Sequence, residues 1–208
     1  MQPILLAAVL AVAPSATARV PVALAPVDSI SRPAFHDAMR VLWEDHVVWT
    51  RSFIISAVAG LPDADRAAQR LLQNQADIGA AIAPFYGAVA GGQLTGLLRG
   101  HILTAARLIG AAKAGDTAAA GAASAAWYAN ADSIADFLAA ANPRHWPSAA
   151  LRSAMRMHLD LTLQEATARL QGDWQADVTA YDAVHRHILQ MADVLSDGIV
   201  AQFPGRFN

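Results

Sequence analysis

Leu42-Trp43-Glu44-Asp45-His46-Val47, Leu97-Leu98-Arg99-Gly100-His101-Ile102 and Ala154-Met155-Arg156-Met157-His158-Leu159 are three copies of one pattern. The histidines stand 55 and then 57 residues apart, and a threonine follows each one three or four positions later, at Thr50, Thr104 and Thr162. Each copy closes on an Ala-Asp pair, ending at Asp77, Asp132 and Asp193, which lie 31, 31 and 35 residues beyond their histidines. A unit of that length holds two helices and a turn. The chain therefore reads as one helical hairpin written three times, with an imidazole on the first helix and a carboxylate on the second.

The punctuation agrees. Pro33 and Ser31 mark the first helix start, and the Gly60-Leu61-Pro62-Asp63 stop offers Asp63 as the N-cap of the second helix. That second helix is expected to end at Ala83, before Pro84. Gly91-Gly92 opens the second hairpin, Ala114-Gly115-Asp116 turns it, and Asn142-Pro143-Arg144-His145-Trp146-Pro147 separates it from the third, which turns at Gly172-Asp173. On the first helix, Leu42, His46, Trp49, Phe53 and Ala57 share a face at helical spacing; on the third, Leu94, Leu98, His101, Ala105, Leu108 and Ala112 do the same. The expected fold is all-α, a six-helix bundle of three consecutive antiparallel hairpins (about 33–87, 91–142 and 147–204) with a pseudo-threefold internal repeat, within one domain over 33–206.

Composition supports this. Hydrophobic residues make up 55% of the 208, with alanine prominent, and charged residues only 15%. Such a chain buries a substantial core and favours helix. A net charge of -2, with scattered Lys and Arg, excludes nucleic acid as a partner. The absence of cysteine excludes disulfides, thiolate ligands and Cys nucleophiles. Ile4 to Ala13 is an unbroken apolar run followed by Ala16-Thr17-Ala18, the length and small-residue ending of a signal peptide (residues 1–18), although Met1-Gln2-Pro3 brings no basic residue. Residues 19–32, with Pro21 and Pro26, form an extended linker. These features predict a periplasmic or secreted protein with no transmembrane anchor in the mature chain; a cytoplasmic location is the alternative.

The intervals also predict levels within each hairpin. His46 lies about 14 residues before its turn and Asp77 about 14 after it, so at ~1.5 Å per residue the two stand at one height. His101 and Asp132 match within about a turn, while Asp193 is offset from His158. If the three copies pack around a common axis, the three imidazoles converge as a facial set for a divalent transition metal (Zn, Cu or Fe) or a small polar ligand, with Asp77, Asp132 and Asp193 as direct ligands or as acceptors of the second ring N–H; whether they share one site is left open by the sequence. The competing reading is that each aspartate merely satisfies its own histidine and staples the hairpin, in a structural or protein-interaction module without a ligand. Glu44 and Glu165 are secondary candidates as acid–base groups near His46 and His158. Asp182 and His185 make the nearest approach to an acid-x-x-His pair. His185 and His187 lie two residues apart and cannot share a helical face. A hydrolytic or oxidative metalloenzyme would need an open coordination position and an acid such as Glu165. No phosphate-binding glycine loop is present, and the oligomeric state is left open.

Leu42-Trp43 with His46, Trp49-Thr50-Arg51, Asn74-x-x-Asp77-Ile78, Phe85-Tyr86-Gly87, Trp127-Tyr128-x-Asn130-Ala131-Asp132, Met191-Ala192-Asp193 and Gln202-Phe203-Pro204 together resemble a family of bacterial helical-bundle proteins, over about residues 38–206. The resemblance implies an all-helical fold and supplies no catalytic residues. Some members of that family carry the label acetylglutamate kinase, which conflicts with a chain lacking strands and phosphate loops.

Overall fold

A computed structural model describes residues 30–208; the expected signal peptide and nearly all of the linker lie outside them. Six helices follow in chain order: α1 (Arg32–Ala59), α2 (Ala64–Tyr86), α3 (Ala88–Lys113), α4 (Thr117–Ala141), α5 (Ser148–Gln171) and α6 (Trp174–Gln202), with a short 3₁₀ turn at Pro204–Arg206. Among the described residues there is no strand, only an isolated parallel bridge between Ile30 and Phe207. No described helix is long and apolar enough to cross a membrane.

Ser31, Asp116 and Asp173 cap α1, α4 and α6 by accepting from backbone N–H groups three residues on. Gly60 and Gly172 end α1 and α5 in the left-handed conformation. Asp63 occupies the expected N-cap position of α2 but makes no side-chain cap bond. Its backbone is already helical there, not in the extended conformation usual for a capping residue.

Two of the expected breakers do not break. Pro84 lies inside the last turn of α2, which continues to Tyr86 before Gly87 makes the junction. A proline there forfeits one hydrogen bond at a frayed end, a smaller loss than in a helix interior. Gly91 is likewise inside α3, because α2 and α3 cross there almost backbone to backbone. A Cβ on Gly79 would fall 2.0 Å from Thr95 Oγ1 and 2.5 Å from Gly91 O, and one on Gly91 would fall 2.6 Å from Gly79 O.

Each helix packs on the next, and α6 returns to pack on α1, closing the ring; α1 also touches α3 and α5 across the middle. The buried face of α1 is Phe35, Met39, Trp43, His46, Val47 and Ile54. Leu42 and Trp49, expected on that face, are only half-buried, and Trp49 packs beneath the Arg70 guanidinium. The α3 stripe of Leu94, Leu98, His101 and Leu108 is buried as expected. At the open end of the hairpins, Phe85 stacks on Phe207 and meets Phe35 edge-on. Backbone bonds from Ile30 N to Arg206 O and from Asn208 N to Ile30 O tie the two ends of the described chain together there.

Candidate functional site

His46, His101 and His158, one from each odd-numbered helix, meet on the axis of the bundle. Their ring centres stand 5.5 Å (46 to 158), 6.1 Å (101 to 158) and 6.4 Å (46 to 101) apart, and each residue is at most 4% exposed. The helical repeat explains the convergence. Equal hairpins packed in a ring bring the same height of α1, α3 and α5 to the centre, and the histidine sits on the inward stripe of each.

The expected histidine–aspartate pairs do not form. Asp132 is ion-paired with Arg156 at 2.7 Å, Asp193 with Arg40 at 2.8 Å, and Asp77 accepts from Gln73 at 3.0 Å. All three are partly exposed, at 23%, 40% and 40% of the side chain. The reason is angular. In α2 and α4 the residues facing the histidines are Gln75 and Asn130, and an aspartate two positions further on points about 200° away around the helix. Asp132 and Asp193 instead link each hairpin to the first helix of the next, α4 to α5 and α6 to α1. The equivalent α2–α3 junction uses the close Gly79–Gly91 crossing.

The partners of the histidines are amides, an indole and another imidazole. Asn74 Nδ2 donates to the Leu42 carbonyl at 2.9 Å, Asn130 Nδ2 to that of Leu97 at 3.1 Å, and His187 Nε2 to that of Ala154 at 2.9 Å. Each of these carbonyls lies four residues before a cluster histidine, so His187 takes the asparagine's place in the third copy. Its interval from His158 equals that of Asn130 from His101, the one signal in the sequence that could have found it. His187 also stacks on His158, with ring centres 6.4 Å apart.

These bonds assign the tautomer of His101. With its amide nitrogen committed to Leu97 O, Asn130 presents Oδ1 to His101 Nδ1 at 3.2 Å, so Nδ1 carries the proton and Nε2 accepts from Trp127 Nε1 at 3.2 Å. Gln75 Nε2 donates to Leu71 O and Asn74 Oδ1 and faces His46 Nδ1 at 3.2 Å. His158 Nδ1 is buried with no partner, as are Gln75 Oε1 and Trp43 Nε1, on side chains that meet the His46 ring.

Burial holds the imidazoles neutral. It pulls His46 down to about 4 and His101 to about 3. His158 falls well below the ordinary range through burial and then repulsion from the neighbouring histidines.

The cluster forms the floor of a cavity of about 60 Å³, walled by Thr50, Ile54, Ala105, Leu108, Ile109, Thr162 and Ala166. Trp127 and Leu71 complete the lining near the floor. From His158 to Leu170 the cavity follows α5 for about 18 Å, at ~1.5 Å per residue, toward the turns. The hydroxyls of Thr50 and Thr162 donate to the carbonyls of His46 and His158, which leaves their oxygens free to accept a hydrogen bond from a guest in the cavity. The volume holds an ion or a few water-sized groups, against ~150 Å³ for a benzene-sized cavity. As they stand, no three ligating His, Asp or Glu side chains among the described residues are arranged to hold a metal ion; the rings must turn to take one.

Glu165 and Glu44 lie outside this cavity. Glu165 is buried between α1, α5 and α6, where Arg51 Nη1 donates to it at 2.8 Å and bridges to Asp177, itself bonded by Arg169. Burial pushes the Glu165 carboxyl up to about 7. Glu44 meets His185 Nε2 at 2.9 Å on the outer face, and Asp182 is exposed. None of the four joins the histidine cluster.

No family model, curated protein or solved structure matches this chain.

Proposed function

We propose that this is a binding protein that holds one transition-metal ion or small polar ligand on His46, His101 and His158. The observation that carries this is the meeting of three neutral, buried imidazoles at the floor of one cavity, with His158 Nδ1 orphaned. A core built only for stability pairs its buried polar atoms, and an unpaired one costs about 1–3 kcal/mol. Internal stapling accounts well for His101, whose two ring nitrogens are both engaged, and it is the competing reading for the cluster. It leaves His158 without a purpose. The apolar run over residues 4–13 supports an exported location for this activity.

The test is elemental analysis and native mass spectrometry of untagged protein, beside a His46→Ala/His101→Ala double variant. One bound metal or small molecule per chain, lost in the variant, is the expected result. Empty wild-type protein that takes up neither metals nor small polar solutes, with a variant that merely melts earlier, would favour the staple.

A further inference from the structure

We infer that the organic ligand this site admits is a short, unbranched, uncharged alcohol, held with its hydroxyl on the cluster and its carbon chain along the cavity. The inference rests on the reading of the cluster as a ligand site and names the chemistry of its small-molecule guest. Its first support is charge. No Lys, Arg, Asp or Glu side chain lines the cavity, and burial keeps the three imidazoles neutral. The buried charges of Arg51, Glu165 and Asp177 are spent on one another between α1, α5 and α6. A carboxylate or an alkylammonium would lie unpaired among aliphatic walls, the costliest guest for such a site.

Hydrogen bonding gives the second support. Thr50 and Thr162 have spent their hydrogens on the carbonyls of His46 and His158, so toward the cavity their oxygens can only accept. A guest that meets them must donate, which sets aside ketones, aldehydes and alkanes. His101 has both ring nitrogens engaged, by Asn130 and Trp127, whereas His158 keeps an unpartnered Nδ1. A hydroxyl gives and takes a hydrogen bond at a single atom, and so serves a threonine oxygen and an imidazole together. An amide would set a second polar atom against the walls of Ile54, Leu108, Ile109 and Ala166.

Shape gives the third. The polar atoms gather at the buried floor, and the exposed Ala112 and Thr167 place the mouth toward the turns, so the hydroxyl enters first and the chain trails outward. A cavity of ~150 Å³ takes the six carbons of benzene, so one of about 60 Å³ takes a hydroxyl and about two carbons before the chain nears the mouth.

The experiment is NMR titration of the untagged chain with methanol, ethanol, 1-propanol and 1-butanol, read at the methyl groups of Ile54 and Ile109 and at the His158 ring. Propionate, n-propylammonium and acetone are the comparison probes. Ala166→Leu and Ala105→Leu fill the cavity, their folds checked by circular dichroism. The expected result is saturable binding of 1-propanol with a Kd of about 0.1–10 mM, within the ceiling for so small a ligand. Affinity should rise about fourfold per methylene from methanol and level off near 1-butanol. The three comparison probes should bind at least about tenfold more weakly, as should 1-propanol to either folded variant. Propionate or n-propylammonium bound as tightly as 1-propanol would overturn the uncharged assignment, and acetone bound as tightly would overturn the hydroxyl; the ligand site would stand in both cases. Undiminished alcohol shifts in a folded, filled variant would place the alcohol elsewhere and overturn the inference. If no alcohol shifts these signals while zinc(II) or silver(I) shifts the three imidazoles, the inference falls and the proposed function stands. If nothing shifts them, both fall.

Discussion

Replacing His158 by leucine is predicted to make the protein more stable. The ring is 4% exposed, and its Nδ1 has no hydrogen-bond partner. Leucine is similar in volume, removes the orphaned nitrogen and adds apolar contact to a cavity walled by Ile, Leu and Ala. Recovering an unsatisfied buried polar atom is worth about 1–3 kcal/mol. Discounted for imperfect repacking, the gain is about 1–2 kcal/mol, or about 3–6 °C in Tm for a chain of this size. His101→Leu is the internal control, because it strands Trp127 Nε1 and Asn130 Oδ1. Two new orphans make that variant about 2–4 kcal/mol less stable. The assay is differential scanning calorimetry at pH 7.5 with a chelator present, so that bound metal does not contribute. If His158→Leu melts as far below wild type as His101→Leu does, His158 is an ordinary staple and the reasoning fails.

Acid should destabilise the fold through its histidines. Their folded values of about 4 and about 3, with His158 also low, lie below the unfolded value near 6.5, so the unfolded chain binds more protons as pH falls. The stability they contribute is present above about pH 6.5 and lost as pH falls through about 4. Glu165 acts in the opposite sense, because its folded value of about 7 exceeds the unfolded ~4.3; its contribution is present at low pH and lost as pH rises through 7. Urea unfolding at stepped pH should therefore show Glu165→Gln steepening the acid loss. His158→Leu should flatten it, by about 1.4 kcal/mol per pH unit near pH 5. The triple variant Asp77→Asn/Asp132→Asn/Asp193→Asn should keep ligand binding and lose no more than about 1 kcal/mol per exposed ion pair; loss of binding in a folded triple variant would restore the histidine–aspartate pairing. Gly79→Ala should cost about 2 kcal/mol or more, its Cβ meeting backbone at 2.5 Å, whereas Gly92→Ala meets nothing within 4 Å and should stabilise by about 0.5–1 kcal/mol. Equal melting temperatures for those two variants would contradict the close α2–α3 crossing.

The helices were legible because they follow from spacing, while whether the three histidines meet was left open by it. Near-equal intervals place His46, His101 and His158 at one height, but only the closure of the ring by α6 on α1 brings them together. The aspartates were misread because interval gives height along a helix but leaves rotation about it loose. Two residues separate Gln75 from Asp77 and Asn130 from Asp132, and those two residues turn the side chain from the axis to the surface. Gly91 was misread for a related reason. A glycine that permits a turn and a glycine that permits close helix contact look alike until the crossing partner, Gly79, is known. His187 was recognised only as a neighbour of His185, because a histidine standing in for asparagine breaks the match of residue type while keeping the interval.

The central claim, that the three imidazoles share one ligand, is tested most directly by imidazole ¹⁵N NMR during titration with zinc(II) and, separately, with silver(I). The account predicts that the ring nitrogens of His46, His101 and His158 shift together and saturate at one equivalent, while the other four histidines stay in place. Unchanged signals from the three, with shifts confined to His36, His145, His185 and His187, would contradict it.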